Sequence, residues 1–380
     1  MEEKKYDLIA TSVFGLEAVV KRECEKLGFE DISVSNGKVE FKGGQRDIAR
    51  ANLWLRSAER VLIKLGEFEA KTFEDLYQGA KAIKWQDFLS KKGSFIVKAK
   101  ALKSKLMSRS DIQSIVKKSV VDSLTKAYDI LWFDESAERY GIEVSILKDL
   151  VTITLDSSGQ GLHKRGYRLE QNKAPMKETL AAALVQLSSW EPDRPLVDLF
   201  CGSGTILLEA GMIAKNIAPG IQRDFDFTEW AWYDRGIFQE EKSKAYSEIR
   251  DIKLDIMGFD IDPKAIKAAR ANAVNADLDM DIKFITKDMK EVGLLNNFGV
   301  IISNPPYGER IGDKKMLDEI YGHLRALNKK LSTWSMFFIT SDKDFELKIN
   351  RMSDRKRKLY NGRIEVDYYQ FLGPNPNLLR

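Results

Sequence analysis

Late in the chain the stretch "VIISNPPYGER" (300–310) ends an apolar run in an asparagine, two prolines and a tyrosine. The amide oxygen of Asn304 and the backbone carbonyl of Pro305 are acceptors one residue apart, suited to the two hydrogens of an amine on a planar ring. Pro305 and Pro306 stiffen the corner and remove competing donors, and Tyr307 offers a face on which a ring can stack. That chemistry is the holding and orienting of a planar, amine-bearing group.

Three further stretches carry polar groups at strand ends. In "DLFCGSGTILLEA" (198–210) an apolar strand runs into a glycine turn and then a helix, so Gly202 and Gly204 let a ligand approach the backbone closely. The turn is neither a P-loop, since no lysine follows the glycines, nor a dinucleotide fingerprint, since Leu207 stands at the third glycine position. In "GFDIDPKAIKAARANA" (258–273) Asp260 ends a strand, where a carboxylate can accept from two ribose hydroxyls, and Pro263 opens the next helix. In "ITKDMK" (285–290) Asp288 stands at the next strand end and could accept from an exocyclic adenine amine. Aspartate at such positions also caps helices, so the order of the three stretches carries more weight than any one of them.

These residues need a sheet whose strand ends gather on one side. After Pro175 the pattern is "PLVDLFCGSG", "IMGFDID", "IKFITKD", "VIISNPPYG" and "WSMFFIT", strands joined by helical connections, which predicts a mostly parallel α/β sheet of the doubly wound, Rossmann-like kind. An aromatic, mixed-charge stretch, "RDFDFTEWAWYDRG" (223–236), interrupts the alternation. All nine prolines lie from Pro175 onward, a composition shift that suggests a boundary. Ahead of it, strand-like pieces alternate with amphipathic helices in two α+β units, the second ending in a hairpin about Lys148 and Asp149. The expected domains are 1–65, 66–165 and 166–380.

The order "DLFCGSGT", "GFDIDP", "ITKD", "NPPYGER" resembles class I S-adenosylmethionine-dependent methyltransferases, and the "NPPY" form resembles the motif of enzymes that methylate exocyclic amines of nucleobases. More closely, "GLHKRGYR" (161–168), "APMKETLAAALV" (174–185) and "NIAPGI" (216–221) resemble the THUMP-domain RNA guanine-N2 methyltransferases related to RlmL. The resemblance implies an N-terminal ferredoxin-like unit, a THUMP RNA-binding domain and a methyltransferase domain. It places the methionine part of the cofactor at Asp198, Gly202 and Gly204, its ribose at Asp260 and its adenine at Asp288, with Phe200, Ser203 and Ile261 beside them. The substrate it implies is guanine N2, first in 23S ribosomal RNA. Transfer RNA and adenine N6 remain open, because the same corner serves both amines. From another class, the chain could be a non-catalytic RNA-binding or ribosome assembly protein that keeps the fold.

Between Lys91 and Lys126 ten Lys or Arg stand against two Asp, a local excess of +8 in a chain of net charge +4. Lys98, Lys100, Lys103, Lys105 and Arg109 are therefore the expected RNA contacts, joined by His163, Lys164 and Arg165 in the "HKRGYR" segment, and "RMSDRKRKLYNGR" (351–363) could extend the basic track. Two cysteines and two histidines in unrelated contexts cannot build a Cys/His zinc site. Cys201 lies in the glycine turn, without a partner motif for covalent catalysis. The charged start "MEEKKYDLIA" has no signal-like segment, and the expected location is cytoplasmic.

Overall fold

The computed structural model describes residues 4–130, 133–168, 176–294, 297–306 and 314–374. The chain divides into two compact units: Met1–Ser12, Val20–Leu162 and Arg223–Lys244 form the first, and Val13–Val19, His163–Gln222 and Ala245–Arg380 the second.

The first half of the chain runs β1 (Tyr6–Thr11), α1 (Glu17–Lys26), β2 (Glu30–Ser35), β3 (Lys38–Gly43), α2 (Gln45–Trp54), β4 (Arg60–Glu69), α3 (Phe73–Lys81), β5 (Ser94–Leu102), α4 (Arg109–Tyr128), β6 (Arg139–Leu147) and β7 (Leu150–Asp156). The two α+β units predicted here share a single sheet of order β2-β3-β1-β4-β7-β6-β5. The ten-residue β4 joins them: its first residues pair with β1, and Leu62–Glu69 pair with β7. The β6–β7 hairpin turns at Lys148 and Asp149, with φ of 51° and 66°, the left-handed pair that a two-residue hairpin loop demands. Thr72 and Asp75 form a capping box at the start of α3, and Ser108 caps α4.

The aromatic stretch that breaks the later alternation belongs to this unit. Phe225, Phe227, Trp230 and Tyr233 are buried in its core, and Trp230 stacks on Tyr140 of β6 with ring centroids 5.6 Å apart. Arg223 donates to the carbonyls of Gly161 (2.9 Å) and Gln160 (2.6 Å), and Arg46 of α2 bonds Glu240 (2.8 Å) and Glu241 (2.5 Å). The interruption is thus a detour in which the chain returns to complete an earlier core.

The second unit is built from α5 (Glu178–Leu187), β8 (Leu196–Asp198), α6 (Thr205–Ala214), the end of α7 (Arg235–Ser247), β9 (Ile256–Asp260), α8 (Pro263–Asn275), β10 (Ile282–Thr286), β11 (Val300–Ser303), α9 (Lys314–Lys330), β12 (Ser335–Thr340), α10 (Phe345–Ile349), β13 (Arg355–Asn361) and β14 (Ile364–Phe371). The strand order is β10-β9-β8-β11-β12-β14-β13; β8 to β12 are mutually parallel, while β14 runs antiparallel to both its neighbours, β12 and β13. After β8 the chain winds first toward β9 and β10 and then crosses back to β11 and β12. The carboxyl ends of β8 and β11 therefore flank the switch point where such sheets open a crevice. Among the described residues no helix is long and apolar enough to cross a membrane.

Candidate cofactor and amine-binding site

The crevice is framed by side chains that hold one another. Asp198, at the end of β8, is almost fully enclosed; its Oδ1 accepts from Ser303 Oγ (2.7 Å) and from the Phe200 amide (3.1 Å). Burial pushes its carboxyl up to about 7, partly opposed by those two donors and reinforced by the neighbouring Asp260 charge. Asp260, at the end of β9, accepts the Gly202 amide on Oδ2 (2.9 Å) and the Asp262 amide on Oδ1 (3.0 Å). It therefore shapes the glycine turn and keeps a second lone pair on each oxygen for a ligand hydroxyl.

The turn itself is tight. The Cys201 amide donates to the Phe259 carbonyl (2.9 Å) and the Gly204 amide to the Cys201 carbonyl (2.8 Å). Gly202 and Gly204 have φ of +52° and +80°, where a side chain is strained. Nothing lies within 4 Å of a Cβ placed on Gly202, whereas one on Gly204 would meet Phe284 at 2.7 Å. One glycine thus leaves room for a ligand and the other lets helix and strand pack. Ser203 is half-buried, with its carbonyl bound by Asn272 Nδ2 (3.0 Å).

Beyond the turn, Ile261 is 70% exposed, a bare apolar side chain next to Asp260. Asp288 follows β10, half-buried, with Oδ1 capping the Lys290 amide (3.0 Å). On the other side of the switch point, Asn304 and Pro306 are half-buried and Pro305 is buried. Among the described residues, Asn304 Oδ1 is buried with no hydrogen-bond partner. Tyr307 lies outside the described residues. The Cys201 thiol is buried and burial drives its pKa far upward, with Asp198 and Asp260 adding to the shift, so it makes a poor nucleophile.

The residues expected at RNA divide into three groups. Lys98, Lys100, Lys103, Lys105, Arg109 and Lys164 are exposed, and His163 is half-buried. Arg165 is a correction: it is 3% exposed and donates through Nε and Nη2 to both oxygens of Glu209 (3.3 Å each), so its charge is spent inside the second unit. Tyr167 donates to the same carboxylate (3.1 Å), and Arg168 reaches Thr205 Oγ1 (2.6 Å) and Glu178 (3.4 Å). The "HKRGYR" segment is therefore largely a buried brace for α5 and α6. Its sequence signal was the lone glutamates Glu178 and Glu209 in otherwise apolar helices, which require buried cations.

The basic stretch also does not form one face. On β5, Phe95 and Val97 enter the core that α4 covers with Ile112, Val116, Val120 and Leu124, so alternation sends Lys98 and Lys100 to the opposite face of the sheet from α4. There Lys98 stands in register with Glu143 of β6. The middle of the basic run at 351–363 forms β13, where Lys358 pairs with Glu365 (2.5 Å) and Lys356 with Asp367 (3.5 Å). Among the described residues no three His, Cys, Asp or Glu side chains converge on a metal position.

Three family models match the chain. Residues 165–370 match the RMKL-like methyltransferase domain, residues 7–62 the RlmL ferredoxin-like domain and residues 70–156 the THUMP domain. YpsC of Bacillus subtilis (strain 168), a candidate RNA methyltransferase, is 47% identical over 373 residues, 97% of this chain and 96% of that protein. The crystal structure of SMU.472, a candidate methyltransferase complexed with SAH, is 45% identical with a TM-score of 0.94, covering 98% of this chain and 100% of that one. A predicted N6-adenine-specific DNA methylase from Listeria monocytogenes str. 4b F2365 is 44% identical with a TM-score of 0.93, covering 98% and 97%.

Proposed function

The chain belongs to the RMKL-like methyltransferases, joined to RlmL ferredoxin-like and THUMP domains, and from that premise we propose that it methylates N2 of a guanine in large-subunit ribosomal RNA, using S-adenosylmethionine. The observation that carries the amine as acceptor is the buried, unpartnered Oδ1 of Asn304 among the described residues. Leaving such a carbonyl unpaired costs about 1–3 kcal/mol, a cost that a donor arriving with the substrate would relieve.

A base amine is a weak nucleophile because its lone pair is delocalised into the ring. Asn304 Oδ1 and the Pro305 carbonyl would accept hydrogen bonds from its two N–H groups and draw the nitrogen out of conjugation with the ring, so that its lone pair is free to meet the methyl group, while the two prolines hold the acceptors still. When bound, the cofactor supplies a sulfonium-activated methyl group. Gly202 leaves room for its close approach to the backbone, Gly204 supports that approach by letting helix and strand pack behind the turn, Asp198 and Ser203 flank the turn, Asp260 retains lone pairs for ribose hydroxyls, and Phe200, Ile261 and Asp288 border the adenine end. Tyr307 is proposed as the stacking face for a base that has left its helix. Lys98, Lys100, Lys103, Lys105 and Arg109 of the first unit, with Lys164, are proposed to follow the RNA backbone.

Guanine and ribosomal RNA rest on the resemblance of "GLHKRGYR" and "APMKETLAAALV" to the RlmL group. The test is deletion of the gene, followed by mass spectrometry of nucleosides from separated ribosomal and transfer RNA pools. Loss of N2-methylguanosine from 23S RNA is expected. Loss confined to transfer RNA would overturn the ribosomal assignment, and loss of N6-methyladenosine instead would overturn the guanine one.

A further inference from the structure

Ser303 is the last residue of β11, immediately before Asn304, and it is fully buried. Its hydroxyl is used twice: Oγ donates to Asp198 Oδ1 (2.7 Å) and accepts from the Leu199 amide (2.8 Å). The β8–β11 ladder registers only Val300 with Leu196 and Ile301 with Val197, so beyond that point the two strands part at the switch point. Among the described residues, Ser303 is the link that spans the gap on that side. The glycine turn has its own anchors in β9, through Asp260 to the Gly202 amide and through the Phe259 carbonyl to the Cys201 amide. Among the described residues, the acceptor corner has none toward β8 except Ser303.

We infer that Ser303 is a positioning residue, fixing the Asn304 acceptor relative to the cofactor turn through its paired hydrogen bonds to Asp198 and Leu199. The inference rests on the proposed role of Asn304 as the amine acceptor. Because the cofactor turn is independently anchored, loss of the hydroxyl should leave cofactor affinity nearly intact and reduce the rate of transfer. This is a split that general weakening of the fold would not produce.

The experiment compares the full chain with Ser303→Ala and Ser303→Thr. SAH affinity is measured by calorimetry, and single-turnover rates are measured at saturating cofactor and saturating ribosomal RNA from cells lacking the gene. Ser303→Ala is expected to bind SAH within about threefold of wild type and to transfer methyl roughly tenfold or more slowly, the rate equivalent of one hydrogen bond to a charged group. Ser303→Thr keeps the hydroxyl on a strand-favouring side chain and should restore most of the rate. A Ser303→Ala rate equal to wild type overturns the inference. Parallel loss of SAH affinity and rate overturns it too, assigning the residue to the fold of the turn. If wild type methylates no RNA while still binding SAH, the functional reading itself fails, and this inference with it.

Discussion

Asp198→Asn isolates the electrostatic cost of enclosing a carboxylate at the centre of the site. The amide oxygen that replaces the carboxylate can still accept from Ser303 and Phe200, so the change removes charge more than geometry. The carboxyl rises from an ordinary 3.8 to about 7 in the folded protein, chiefly through burial. Between those values the unfolded chain has released its proton and the folded one has not, so stability falls as pH rises and the penalty is complete above about 7. From pH 5 to pH 8 about two pH units lie on that slope, at roughly 1.4 kcal/mol each, giving about 3 kcal/mol. For a unit of about two hundred residues this is roughly 6–12 °C in Tm. The assay is thermal unfolding of both proteins without cofactor across that range, read as the difference between them. Asp156, which burial raises to about 6, titrates in both and cancels. The variant should gain on wild type as pH rises. A difference that stays flat from pH 5 to 8 would refute the burial argument.

Asn304→Ala should lower single-turnover rates by roughly 10²–10³, by analogy with loss of an oriented transition-state donor, while SAH affinity measured by calorimetry stays near wild type; an unchanged rate would remove Asn304 from the acceptor role. Gly204→Ala forces a side chain to φ +80° and against Phe284 at 2.7 Å, and should destabilise the protein by about 2–5 kcal/mol in denaturant unfolding; a change under about 1 kcal/mol would contradict that geometry. Neutralising Lys98, Lys100, Lys103 and Lys105 together should weaken RNA binding and flatten its salt dependence by up to roughly 0.7–0.9 in log–log slope for every phosphate that is no longer neutralised, with SAH binding preserved; an unaltered slope would place the RNA track elsewhere.

The strand-end residues were readable in the sequence because parallel α/β sheets concentrate polar punctuation where strands stop, so Asp198, Asp260, Asp288 and Asn304 fall at or just after the ends of four strands of one sheet. What escaped were facts set by distant pairing. Nothing local in β4 announces that it will bond β1 on one side and β7 on the other. Charge is illegible in the sequence wherever its partner lies far along the chain: Arg165 stands in a run of basic residues, but Glu209, forty-four positions on, draws it inside. The lysines of β13 look like a phosphate track until the β14 carboxylates appear beside them. Ser303 has no signal of its own in the sequence, because a serine before an asparagine has many uses, and only its bonds across β8 and β11 show which one applies.

The return of residues 223–244 to the first unit sets a schedule for synthesis. A nascent chain that has emerged only as far as Leu162 has all seven strands of its first sheet but lacks Phe225, Phe227, Trp230, Tyr233 and Phe238, which fill that sheet's core. Eighty-two residues separate Leu162 from Lys244, so at about 5–20 residues per second the core stays open for roughly 4–16 s. During that interval the core of the first sheet lacks these five aromatic side chains, while the intervening segment carries the glycine turn out ahead of its partner strands. Folding here cannot proceed strictly from the amino end. The first unit is the earlier one to begin, yet the glycine turn of the second has already been made before that unit can close.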